Sequence, residues 1–211
     1  MTHRPLAALA PLSALVLLAG CGSDPVPAPA DPQDAFWTAL SSHCGEAYSG
    51  ALTEGDERDA EMQGAEMAMH VRECSERQIE VPFHIRQEDG TWDRSRTWVL
   101  TRTEAGLRLK HDHRHEDGTS DAVTMYGGDT AAPGTERAQD FPVDQESIDL
   151  FRREGLDVSV TNVWRVEVDP AGTRGGRFAY QLKREGENER LFRVEFDLSN
   201  PIQLPPAPWG H

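Results

Sequence analysis

The stretch RFAYQLKREGENERLFRVEFDL, residues 177–198, decides how this chain folds. Apolar and polar side chains alternate on both sides of a polar turn at Gly186-Glu187-Asn188. Successive side chains of a β-strand point to opposite faces, so the alternation predicts strands with one buried and one wet face. Two such strands around a turn predict an antiparallel hairpin. The side chains assigned to its buried face are Phe178, Tyr180, Leu182, Phe192, Val194, Phe196 and Leu198.

The same period of two extends toward the N-terminus, with turn signals between the apolar runs. It predicts a strand over 158–168, with Val158, Val160, Trp164, Val166 and Val168 on one face. Segment 60–73 also holds good helix formers, and its alternation at Met67, Met69 and Val71 favours a strand. The earlier strands are expected at 46–53, 65–73, 78–86, 95–102, 106–115 and 121–126.

Two short helices flank these strands. One is predicted over 34–43 with Asp34 as its N-cap, and one over 145–153 with Asp144 as its cap. Nine or ten strands without βαβ spacing indicate a mainly β, up-and-down antiparallel meander. Closure into a calycin-like barrel would remove the exposed edges, and a two-layer β-sandwich is the alternative. The Pro-rich tail 201–211 is expected to cross the surface, with Trp209 as its packing anchor.

The 211-residue chain is acidic, with 36 Asp and Glu against 21 Lys and Arg and a net charge of −15. Nucleic-acid binding needs Lys and Arg to neutralise phosphates, so this balance argues against it. Arginines between positions 94 and 114 are expected to pair with acids on neighbouring strands, although such groups also suit carboxylate or phosphate ligands. The length fits one folded domain, expected over 34–211.

The first 21 residues resemble the export signal of a bacterial lipoprotein. A short basic start precedes an apolar run over 6–18, which is too short to span a bilayer stably. The run ends in Leu18-Ala19-Gly20-Cys21, which resembles a lipobox. That resemblance implies a signal peptide at 1–20 and acylation, such as palmitate, on Cys21. The alternative is an ordinary signal peptide followed by an accidental cysteine.

The residues after Cys21 bear on where such a lipoprotein would reside. Gly22 and Ser23 lack the acidic residue that this class associates with inner-membrane retention, so the resemblance implies an outer-membrane lipoprotein facing the periplasm. Residues 21–33 are Pro-rich and predict an extended tether. Removal of 1–20 would make the net charge one unit more negative, so the lipid must hold the acidic domain to the membrane.

Two further cysteines remain for the folded domain. Cys44 and Cys74 form an even pair in an oxidising compartment, which predicts a disulfide closing a loop of about 30 residues. A metal pair or a catalytic thiol is the alternative, but the spacing is not CxxC.

Several segments resemble a family of small secreted proteobacterial lipoproteins of uncharacterised activity. The resemblance spans most of the chain after Cys21 and implies an intact envelope domain, while it assigns no catalytic residue. The segments that carry it are LRLKHDHRHEDG (107–118), MHVREC (69–74), VPFH (81–84), RSRTWVLT (94–101) and PAPW (206–209).

A histidine run is the most unusual chemical feature. On a strand, His111, His113 and His115 would share one face with Leu107 and Leu109. Neutral imidazoles bind Zn and Cu, so the run predicts a possible site for either metal and no other cofactor. Residues four apart on a strand are about 13 Å apart, so only an adjacent pair could share one ion. A third ligand would come from His84, His70, Asp121 or Tyr126.

Two alternatives to a metal site are open for these histidines: hydrogen-bonded or solvated rim residues, and acid–base chemistry. The sequence contains no GxSxG, HExxH, P-loop, Rossmann or CxxC motif, so it favours a non-enzymatic protein. The leading hypothesis is a lipid-anchored periplasmic domain that binds a small ligand or an envelope partner. The others are a metal-binding protein or metal-dependent hydrolase, and a structural envelope-assembly lipoprotein.

Overall fold

The computed structural model describes Met1 and residues 31–211, and within them it forms one mainly antiparallel β-barrel. The helices are α1 Pro32–Ser41 and α2 Gln145–Arg153, with short 3₁₀ helices at Glu57–Met62 and Asp157–Ser159. The strands are β1 Ala47–Glu54, β2 Met67–His70, β3 Glu73–Cys74, β4 Gln78–Arg86, β5 Trp92–Thr103, β6 Gly106–His113, β7 Tyr126–Asp129, β8 Ala138–Pro142, β9 Val163–Val168, β10 Arg177–Arg184 and β11 Arg190–Asp197.

Strands that follow one another in the chain lie side by side in the sheet. Its order is β7-β6-β5-β4-β2-β1-β11-β10-β9-β8, and the two-residue β3 pairs with β4 beyond β2. The first and last strands therefore meet, as Gly50 opposes Phe196. This confirms the predicted barrel over the alternative sandwich.

The remaining seam joins β7 to the end of β8. A bridge pairs Gly128 with Val143, and the Asp144 N–H donates to the Gly127 carbonyl at 3.0 Å. A Cβ at Gly128 would overlap the Pro142 carbonyl oxygen, and one at Gly127 would overlap the Leu109 carbonyl. Only glycine lets these backbones approach so closely.

The barrel core follows the alternation of the sequence. In β10 and β11, the predicted inward residues Phe178, Tyr180, Val194 and Phe196 are buried. In β6, Leu107 and Leu109 are buried on the face that continues to His111. His111 and His113 therefore point into the barrel, whereas His115 is exposed.

Helix α1 closes one end of the barrel. Its Phe36 and Leu40, four residues apart, are fully buried. The N-cap is Asp31, whose side chain accepts from the Gln33 N–H at 2.8 Å, so the prediction of Asp34 as the cap is wrong. Pro32 favours this earlier start, since a proline fits the first turn of a helix. Asp34 instead pairs with Arg102, close to the end of β5.

Three predicted strands differ from the structure. Residues 57–62 form a 3₁₀ helix held by a capping box between Asp56 and Asp59, so the strand in this region begins only at Met67. Strand 158–168 begins at Val163, because Asp157–Ser159 forms a 3₁₀ turn that leaves Val158 exposed. The strand predicted over 121–126 is instead β7, which begins at residue 126.

Other predicted features are confirmed. Helix α2 is capped by Asp144, whose carboxylate accepts from the Ser147 N–H at 2.8 Å. Cys44 and Cys74 form a disulfide with Cα atoms 6.2 Å apart. The tail crosses the surface, where the backbone N–H of Trp209 donates to the Arg94 carbonyl at 3.1 Å. Within residues 31–211, no helix has the length and apolar character needed to cross a bilayer.

Candidate functional site

A cavity of about 150 Å³ lies inside one end of the barrel. We call it the barrel-end pocket. β6 ends at this pocket, and β7 and β11 begin there. Helix α1 instead contacts Arg102 and Thr130, which lie near the other ends of β5 and β7. The pocket therefore opens opposite α1. Its lining residues are Asp59, Met62, Phe83, Arg96, Thr97, Trp98, His111, His113, Tyr126, Tyr180, Leu182, Arg190 and Phe192.

Aromatic rings form most of its inner wall. The Trp98 ring stacks on Tyr180 with centroids 4.5 Å apart and on Phe83 with centroids 5.0 Å apart. The Tyr126 ring stacks on His111 at 4.6 Å. Such contacts fix the rings in place, so the wall of the pocket is preorganised.

His111 is buried, and both of its ring nitrogens are hydrogen bonded. Nδ1 lies 3.0 Å from the Tyr126 carbonyl oxygen, which can only accept, so Nδ1 carries the proton. Burial lowers the pKa of His111 to about 3, so the ring is neutral near pH 7 and Nε2 is an acceptor. The Tyr180 hydroxyl, 2.7 Å from Nε2, therefore donates to it.

His113 lies beside the same tyrosine. Its Nε2 is 3.2 Å from the Tyr126 hydroxyl. Burial, followed by the nearby Arg96 charge, lowers the pKa of His113 to about 4. Burial also raises the pKa of Tyr126 to about 12. Near pH 7, this corner of the pocket consists of a neutral imidazole and a neutral phenol.

The cations of the pocket each have an acidic partner. Arg190 donates to the buried Asp59 carboxylate at 2.5 Å and to Asp56 at 3.3 Å. Arg96 pairs with Asp93 on its own strand. The predicted acid partner on a neighbouring strand is therefore wrong for Arg96, whose partner lies on the same strand. The acidic partners balance the positive charge at the pocket.

A wider groove of about 830 Å³ adjoins the barrel-end pocket and shares Met62 and Arg96 with it. We call it the outer groove, and it runs between residues 60–66 and 85–96. Its acidic side chains outnumber the basic ones, and a ligand approaching from this side passes them. They are Glu61, Glu66, Glu88, Asp89 and Asp93.

The structure brings together two of the three predicted histidines. His111 and His113 line the barrel-end pocket, whereas His115 is exposed and 4.0 Å from Asp121. His84 faces the opposite side of its strand and contacts the Pro206 carbonyl at 3.0 Å. Among residues 31–211, no group of three His, Cys, Asp or Glu side chains is placed to hold a metal ion. Cys21 lies outside the described residues.

Sequence reasoning did not single out Trp98, Tyr180 or Asp59 as site residues. Tyr180 was assigned to the buried face of its strand, which is the one signal that pointed inward. Its partner His111 lies 69 residues away, so local spacing could not reveal their hydrogen bond.

No protein-family model and no curated protein matches this chain. Among solved structures, it is similar to a redesigned β-barrel, mFAP1, bound to DFHBI. The two share 8% sequence identity with a TM-score of 0.29, and the likeness covers 76% of this chain and 98% of the other.

Proposed function

We propose that this protein is a lipid-anchored domain of the cell envelope that binds a small ligand in the barrel-end pocket. The observation that carries the proposal is the pocket itself, an aromatic cavity with buried polar groups at one end of the barrel. Small-molecule sites in proteins are concave and mostly apolar, with a few placed polar groups, and they occur in the mouths of barrels.

The location is proposed from the sequence. The run Leu18-Ala19-Gly20-Cys21 supports acylation of Cys21, and Gly22 and Ser23 support an outer-membrane lipoprotein facing the periplasm. The Cys44–Cys74 disulfide agrees with an oxidising compartment. Because α1 follows the tether and lies opposite the pocket, the ligand would enter from the side away from the anchor.

Native mass spectrometry of the protein purified from its own envelope tests ligand binding. We expect a small bound mass on the wild type and its loss in Leu182→Trp, because the larger side chain fills the pocket. Leu204→Trp is the matched control, since Leu204 is exposed and outside the pocket lining. A bound mass that survives Leu182→Trp, or a wild type that carries none, contradicts the proposal and favours a structural role.

A further inference from the structure

Arg184 lies on the inward face of β10, at the end of the barrel that holds the barrel-end pocket. It continues the alternate positions of Tyr180 and Leu182, and the pairing of β10 with β11 is regular up to this residue, which opposes Arg190. Arg184 is 6% exposed. Its neighbours on the inward face, Leu182 and Arg190, both line the pocket. The Arg184 guanidinium therefore lies at the rim of the pocket, beside two of its lining residues.

The guanidinium of Arg184 has one hydrogen-bond partner among residues 31–211. Its Nε donates to the Asn162 Oδ1 at 2.9 Å, and Asn162 is itself buried. Nη1 is buried and has no partner within that part of the chain, and Arg184 forms no ion pair there. A buried charge without a counter-ion is costly, so an unpaired guanidinium at the rim of a pocket favours an anion as its ligand.

The surroundings of Arg184 are rich in positive charge. Arg190 pairs with Asp59 and Asp56, and Arg58 also pairs with Asp56, so three guanidinium groups share two carboxylates. Burial, followed by the charges of Arg58 and Arg190, lowers the pKa of Arg184, which agrees with a cation that has no acid of its own. One added carboxylate would bring this cluster to neutrality, whereas a doubly charged phosphate would exceed it.

The hairpin turn 185–189 beside Arg184 is exposed along its whole length. Its Glu185 pairs with the exposed Lys183 rather than with Arg184. None of residues 177–197 lines the acidic outer groove, so a ligand that reaches Arg184 from the turn does not pass the acids of that groove. An anionic group can therefore approach the rim from the hairpin side of the barrel mouth.

We infer that the barrel-end pocket binds an apolar molecule that ends in a single carboxylate. The carboxylate lies on the Nη edge of Arg184, and the apolar part lies against Leu182 and Phe192, which line the pocket. The two terminal nitrogens of a guanidinium form a planar fork that matches a carboxylate. The inference rests on the proposed function and names its ligand class.

Titration of the full chain near pH 7 with four octyl probes tests the inference. Octanoate carries the carboxylate, 1-octanol is neutral, octyl phosphate carries more negative charge, and octylammonium is a cation. We expect octanoate to bind about tenfold more tightly than 1-octanol, as a charge-assisted hydrogen bond allows. Octyl phosphate should bind more weakly than octanoate, and octylammonium should bind most weakly.

The other outcomes separate this inference from the proposed function. Binding of 1-octanol or octylammonium that equals or exceeds that of octanoate overturns the carboxylate, while the proposed function stands. Tighter binding of octyl phosphate indicates a phosphate site and also overturns it. If none of the four binds, the inference is overturned, and the bound mass of the envelope-purified protein decides the proposed function separately.

The variant Arg184→Met assigns the cation, because it removes the charge and keeps a long side chain. Octanoate should lose its advantage over 1-octanol, while the affinity for 1-octanol stays within about twofold. Arg177→Met on the same strand is the matched control, since Arg177 is exposed and pairs with Glu195 on the outer face. It should leave all four affinities unchanged. An octanoate preference that persists in Arg184→Met overturns the assignment.

Arg184→Lys keeps the test decisive if circular dichroism shows that Arg184→Met does not fold. A lysine retains the positive charge but lacks the planar fork. We expect octanoate to bind this variant several-fold more weakly than the wild type, with no change for 1-octanol. An octanoate affinity equal to that of the wild type would show that the Arg184 fork does not hold the carboxylate, and would overturn the inference.

Discussion

His111 shows how one residue links the core of the barrel to its pocket. In the sequence pattern it shares one strand face with Leu107 and Leu109, which predicts an inward position, and the structure confirms that position. Its role was not predictable, because its partners Tyr126 and Tyr180 lie on other strands. With both nitrogens hydrogen bonded, the neutral ring links Tyr126 to Tyr180.

The neutral histidines make stability depend on pH. The folded pKa values of His111 and His113 are about 3 and about 4, below the ordinary value of 6.5. Between the folded pKa values and the ordinary value of 6.5, the unfolded chain binds more protons than the folded one. The stability that these histidines contribute is therefore complete above pH 6.5 and is lost as the pH decreases. His70 and His84 also have pKa values lowered by burial and add to this slope.

Urea unfolding at pH 7 and pH 5 measures this loss. His111→Gln keeps a donor and an acceptor but does not titrate, so we expect a smaller loss between the two pH values than in the wild type. His115→Gln, at an exposed position outside the pocket, should leave the slope as it is. An unchanged slope in His111→Gln would contradict the assignment of a buried neutral imidazole.

At the scale of elements, the sequence predicted strands best where apolar and polar residues alternate over a long run. β4, β10 and β11 follow strict alternation and form close to the predicted positions. β8 was not predicted, because its five residues AQDFP contain only one large apolar side chain and a proline. Val158 and Val160 continued the parity of β9, yet the turn after α2 takes them out of the sheet. Alternation alone cannot reveal where such a turn ends.

The seam between β7 and β8 depends on glycine. We expect Gly128→Ala to destabilise the fold by at least about 2 kcal/mol, because its Cβ would overlap the Pro142 carbonyl and force the seam apart. Urea unfolding measures the loss, and faster amide exchange at Asp144 would locate it. Gly172→Ala, where a Cβ meets open space at a positive φ, controls for backbone strain of about 1 kcal/mol. Equal losses in the two variants would contradict closure at this seam.

The disulfide joins the turn that follows α1 to strand β3. The double variant Cys44→Ser/Cys74→Ser should lose roughly 3–4 kcal/mol of unfolding free energy, as expected for a bridge that closes a 30-residue loop. Denaturant unfolding of the variant and of the reduced wild type checks this value. A change below about 1 kcal/mol in both would show that the bridge does not constrain the unfolded chain.

At the scale of the whole molecule, the meander explains why the fold was predictable and the site was not. Neighbouring strands in sequence pair in space, so local patterns were enough to predict the barrel. The pocket instead gathers side chains from β4, β5, β6, β7, β10 and β11 and from the 3₁₀ helix at Glu57–Met62. These side chains meet only when the barrel closes.

The proposed membrane attachment is also tested at the scale of the whole molecule. Cys21→Ser should release the protein from the membrane fraction into the soluble periplasm, because an acidic surface is repelled by anionic lipids and gives no other hold. Fractionation and immunoblotting measure the distribution. Cys44→Ser, which leaves Cys21 in place, should stay with the membrane. A Cys21→Ser protein that still sediments with outer membrane contradicts the lipobox interpretation.

The central claim is that the barrel-end pocket is the binding site. NMR mapping of a library of small ring compounds, neutral and charged, on the isotope-labelled protein tests it most directly. The proposal requires that compounds that bind perturb signals of Trp98, His113, Tyr126 and Tyr180, and that Leu182→Trp abolishes these shifts. A library that perturbs no residue of the pocket, or shifts that gather on the outer face of the barrel, would contradict it.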